Sequence, residues 1–98
     1  MNYPELIQEM WQKVYHLQVT LGKIPLRETV EGIQWMIAQK RIIDTEYLPT
    51  LDPLERIVVD VDLALMSKAI WRVFNHCEMV ANFAGINVRE IRVFGRAS

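Results

Sequence analysis

Asp52-Pro53-Leu54-Glu55-Arg56-Ile57-Val58-Val59-Asp60-Val61-Asp62-Leu63 opens a run that stays rich in apolar residues as far as Gly85. Its start has the form of a helix N-terminus. Asp52 suits the N-cap, and Pro53 fits the first helical position, where a missing N–H costs nothing. Glu55 stands where a capping-box carboxylate reaches back to the N-cap amide. Gly85 is a C-terminal stop signal. Within the run, Leu54, Val58, Val61 and Leu65 form one stripe at helical spacing. Met66, Ile70, Val73, Cys77 and Val80 form a second, out of phase with the first by one residue. One long helix with two stripes is either contacted on two sides or bent near Ser67. A charge at position 65 is then expected to unfold the chain or break an assembly. The competing reading is a strand, because residues 57–63 are rich in β-branched side chains. The start signal and the flanking periodicity favour the helix.

Two further helices are expected upstream. Leu6, Met10, Val14, Leu17 and Leu21 recur at spacings of three and four over about Pro4 to Leu21, with Ile7, Trp11 and Tyr15 widening the stripe and Gly22 ending it. Leu26, Val30, Ile33 and Ile37 give a second helix over about Pro25 to Lys40, flanked by Trp35 and Met36. Lys40 and Arg41 suit the negative end of its dipole. The short loop between them predicts an antiparallel hairpin. Residues 42–51 form a connector in which 44–47 could make one helical turn before Leu48-Pro49-Thr50 breaks it. The tail, 86–98, fits either a capping box at Asn87-Val88-Arg89-Glu90 or a short strand over 89–94. The fold expected is all-α and a single domain over residues 1–98. In it a helical hairpin packs on a long third helix, with a short irregular or β C-terminal tail.

A chain of 98 residues buries only a modest fraction of its surface, so its core is marginal unless an assembly adds to it. A hydrophobic content of 51%, with three Trp and five Met, excludes disorder. A net charge of −1 gives no bulk attraction to nucleic acid, although a local basic patch remains compatible with it. Cys77 is the only cysteine, which fits a reducing compartment. The N-terminal residues lack the basic and apolar regions of a signal peptide. No uncharged apolar run reaches the roughly 18 residues of a membrane span. A cytoplasmic protein with no membrane contact is expected.

No motif carries chemistry by itself. On a strand, Asp60 and Asp62 would share a face and could hold a divalent metal; on a helix they lie about 200° apart and do not chelate together. Arg56, one turn before Asp60, is placed to pair with it. His76-Cys77-Glu78 points in three directions on a helix, and Cys77 falls on an apolar stripe as a core thiol. A zinc site normally takes four ligands, mostly Cys and His, and the chain has three such residues in all. Lys68, Arg72, Asn75 and His76 form a polar, basic ridge. Arg89, Arg92 and Arg96 make the tail basic, so these residues together are a possible phosphate or acidic-partner patch. Gly-rich phosphate loops and the hydrolase and metalloprotease motifs are absent. The segment Leu21 to Val30, followed by Ile33, Trp35-Met36-Ile37 and Ile42-Ile43, in part resembles a winged helix-turn-helix. It departs from that pattern in the spacing of the preceding helix and in having no wing hairpin. Glu28 and Glu31 also fall on the would-be recognition face, where they would repel phosphates.

The function expected from these features is binding without catalysis or cofactor: a regulator, inhibitor or assembly adaptor acting through an apolar helical surface. Trp11, Trp35, Leu65, Trp71 and Phe74 are the expected partner-binding residues, and the partner is another protein or a second copy in a homodimer. The alternative is a nucleic-acid-binding regulator using Lys68, Arg72, Arg89, Arg92 and Arg96.

Overall fold

The computed structural model describes residues 2–83. Within them the chain is all-α, with no strand among the described residues. Helix α1 spans Tyr3–Thr20, α2 spans Leu26–Ile42 and α3 spans Pro53–Phe83. Residues 57–63 are helical, so their β-branched content is overridden by the cap and by packing. The three helices pack on one another around a single core.

Each helix start has a local cause. Asn2 caps α1 by accepting the Glu5 N–H at 3.2 Å. Asp52 caps α3 by accepting the Glu55 N–H at 2.9 Å. That N–H holds the Asp52 carboxyl below its usual range, and the neighbouring Asp52 carboxyl holds Glu55 above its own. The two shifts act oppositely with pH. The Asp52 contribution is present above its unfolded pKa and lost as pH falls through the lowered folded value. The Glu55 contribution is present below its unfolded pKa and lost as pH rises through the raised one. Pro25 precedes α2 without a side-chain cap.

The α1–α2 corner is a type II turn. Leu21 lies at φ −56°, ψ 124°, Gly22 at φ 79°, and Lys23 N–H donates to Thr20 O at 2.8 Å. Nothing lies within 4 Å of a Cβ built at Gly22, so a substitution there meets only backbone strain. Gly22→Ala is expected to lower stability by about 1–2 kcal/mol, the penalty of left-handed backbone for an L-residue, as read by thermal denaturation. Gly32 has a different reason. A Cβ there would come within 2.8 Å of Leu17 Cδ2, so its absence lets α1 and α2 approach closely.

The connector is more ordered than its sequence suggests. Helix α2 runs on into a π-helical turn, Ile43–Tyr47, and then a 3₁₀ turn, Leu48–Thr50. Ile43 is fully buried, and Tyr47 stacks on Tyr3 with ring centroids 4.8 Å apart. Tyr3 also donates its hydroxyl to Glu46 Oε1 at 3.1 Å, which raises the phenol pKa. The wide turn thus places one side chain in the core and pins the start of α1. Arg56 does not pair with Asp60. Its guanidinium turns back to donate to Leu48 O and Leu51 O, both at 3.1 Å, and Leu48 O accepts the Leu51 N–H at 3.2 Å as well.

The core consists of Leu6, Met10, Val14 and Leu17 from α1, Val30, Ile33 and Met36 from α2, Ile43, and Leu63, Met66, Ile70, Val73, Phe74, Cys77 and Ala81 from α3. On α1, Ile7 and Trp11 flank this set, but Tyr15 is 69% exposed and does not widen the stripe. On α3 the second stripe is the core stripe, except Val80, which is exposed. The helix continues unbroken through Ser67. The hairpin packs on one side of it only.

Candidate interaction surface

The size of α3 creates the surface. At about 1.5 Å per residue, its 31 residues run about 46 Å, against about 27 Å for the 18 of α1. It therefore sets the molecule's long dimension of 47 Å and outruns the hairpin at its N-terminal end. Residues 52–58 are all exposed, and the first fully buried side chain of α3 is Leu63.

The stripe Leu54, Val58, Val61 and Leu65, with Ile57 beside it, faces away from the core. The exposures are 74% for Leu54, 64% for Val58, 60% for Ile57, 55% for Leu65 and 54% for Val61. Thus a charge at Leu65 does not enter this chain's own core, contrary to the first arm of the sequence expectation. The two stripes are out of phase because they serve different sides of one unbroken helix, about 100° apart. A little over three turns of α3 present an almost purely apolar face about 17 Å long. Further along the same face the side chains are Lys68, Arg72 and His76. The first two are exposed and His76 is half-buried.

The aromatic residues divide differently from the sequence expectation. Phe74 is buried and belongs to the core, packed edge-to-face with Trp71 at 5.5 Å between centroids; it is not available as a partner anchor. Trp71 is 40% exposed and stands beside the apolar face. Trp11 is half-buried, and its indole N–H reaches both carboxylate oxygens of Asp62 at 3.2 Å. This bond locks α1 to α3 and gives Asp62 a structural role. Trp35 is half-buried, with Lys13 Nζ 5.8 Å from its ring centroid. Asp60 is exposed and lies on a different side of α3 from Asp62, so the two carboxylates do not converge.

A groove of about 240 Å³ lies between α2 and α3. Met10, Met36 and Met66 line it together with Ile37, Ile70 and Trp71, and Lys40, which bonds Asp44 at 2.8 Å, lies along it. The sequence signalled these methionines only as core. Cys77 is fully buried, and burial pushes its thiol up, which disfavours the nucleophilic thiolate. Among the described residues, no three His, Cys, Asp or Glu side chains cluster to hold a metal. No helix among them is long and apolar enough to cross a membrane. Arg89, Arg92 and Arg96, the tail helix or strand, and the stop at Gly85 lie outside the described residues.

The sequence signal for the surface was the pairing of two apolar stripes on one helix. What it lacked was the side each stripe faces, which depends on where the hairpin docks. Compared with known protein families, with curated proteins and with solved structures, the chain matches none.

Proposed function

We propose that the protein is a non-catalytic interaction module, a regulator, inhibitor or assembly adaptor that docks a protein surface on the outward face of α3. The observation that carries this reading is the apolar stripe from Leu54 to Leu65. Apolar side chains scattered singly over a surface are ordinary. Five on one helical face, each more than half exposed, form a contiguous patch of the kind that marks an interaction site. Trp71 at its edge supplies a large side chain of the sort enriched in binding hot spots. The face is built on a regular helix held to the rest of the chain by the Trp11–Asp62 bond and the core stripe, so little is ordered on binding.

Capture of partners from the source cells by immobilised protein tests this. Bound protein is expected to survive high salt, because burial of apolar surface is not screened. It should be lost when Val58 and Val61 are both changed to Ser. Nucleic acid retained instead, and released steeply as salt rises, would assign the function to Lys68 and Arg72 on the same face.

A further inference from the structure

We propose that the occupant of this face is a second copy of the chain, with α3 packed antiparallel on α3 about a two-fold axis near residue 60. The proposal rests on the outward face of α3 being a docking surface. It goes further by naming the partner and the register.

Leu54, Val58, Val61, Leu65, Lys68 and Arg72 succeed one another at alternating spacings of four and three, which is the seam of a two-helix coiled coil. Four apolar positions are followed by two cationic ones, and all six are exposed. This order decides the direction of pairing. A parallel pair would stack Lys68 on Lys68 and Arg72 on Arg72 inside the seam, and like charges held together at an interface are repulsive. An antiparallel pair avoids this. Placing Val58 opposite Val61 of the second copy puts Leu54 opposite Leu65, so the apolar block covers itself completely. Residue 68 of each copy then lies level with residue 51 of the other, just before the cap of α3. Near it the exposed Glu55 carboxylate, next to Leu54 at the edge of the seam, is within reach of the long stem of this lysine. The face is thus charge-complementary to its own reverse. A net charge of −1 opposes the encounter of two copies very little.

The area is also sufficient. The five apolar side chains, with the stems of the flanking charged residues, offer on the order of 600 Å² per copy, the lower end of a standard specific interface. Closed two-fold pairing uses one patch twice and leaves no edge to propagate.

The test is sedimentation velocity of the full chain over a concentration series, with three samples beside the wild type: Val58→Glu, Val61→Lys, and an equimolar mixture of the two. Both side chains are exposed, so each variant is expected to fold, as checked by circular dichroism. The wild type should dimerise, and each variant alone should dimerise roughly tenfold or more weakly, since a charge faces an apolar partner. The mixture should recover a mixed dimer, because the antiparallel register sets Glu at 58 against Lys at 61. A wild type that stays monomeric to several hundred micromolar overturns self-pairing. The docking reading would survive that result if capture from cells still depends on Val58 and Val61. Dimers indifferent to both substitutions overturn the face as well. Loss in the variants without recovery on mixing overturns the antiparallel register.

Discussion

Met66→Asp is expected to unfold the chain under conditions in which Leu65→Asp remains folded. The two residues are neighbours in sequence, and about 100° of helix rotation separates them. Met66 is 2% exposed and lies among Met10, Met36 and Ile70, while Leu65 is 55% exposed. A carboxylate at 66 finds no cation among the groove residues except Lys40, which is already held by Asp44. An unpaired buried charge costs about 3 kcal/mol or more, a large part of the roughly 5–15 kcal/mol that holds a small domain together. A carboxylate at 65 stays in water, and the change costs only the lower helix propensity of Asp, about 0.5 kcal/mol. Far-UV circular dichroism and thermal melts at low protein concentration separate the two. A Leu65→Asp variant that melts as early as Met66→Asp would show that position 65 is covered by its own chain, and the docking face would be lost with it.

How far the sequence carried the fold follows from the same pair of residues. The three helices were legible because their ends are marked locally by Pro4, by Gly22 and Pro25, and by Asp52 and Pro53; the Asn2 cap of α1 was not read. The core stripes of α1 and α2 were legible because each has one apolar face. On α3 both faces are apolar over part of its length, and periodicity alone does not say which one the hairpin takes. Leu63 and Val59, which precede Met66 on the core side, lie between the members of the other stripe, so the first half of the helix offers two apolar faces instead of one. Phe74 was misplaced for a related reason. Phe74 follows Trp71 by three residues, and the net rotation of about 60° between them places it in the core and leaves Trp71 40% exposed. Pairings set by tertiary geometry were out of reach: Trp11 with Asp62 across 51 residues, Tyr3 with Tyr47 and Glu46, and Arg56 with the carbonyls of Leu48 and Leu51. In each a side chain satisfies a group that no local pattern announces.

Met10→Ala is expected to lower stability by about 2–3 kcal/mol, in the lower part of the range for removing a large buried aliphatic side chain. Met10 is fully buried and lies against the groove between α2 and α3. The cost of such a deletion depends on whether the neighbours move into the space. Here two of those neighbours are Met36 and Met66, unbranched side chains with several rotatable bonds that adapt to irregular gaps. The groove is open on its outer side, so they are free to sink without pulling the helix backbones together. Chemical denaturation with an unchanged m-value would report the loss as a true stability change. A cost near 5 kcal/mol, together with new binding of a small apolar molecule such as benzene, would show instead that the space stays open. The groove would then be a rigid cavity rather than an adaptable seam. Binding of the same probe by the wild-type chain would give the groove a role of its own, separate from the α3 face.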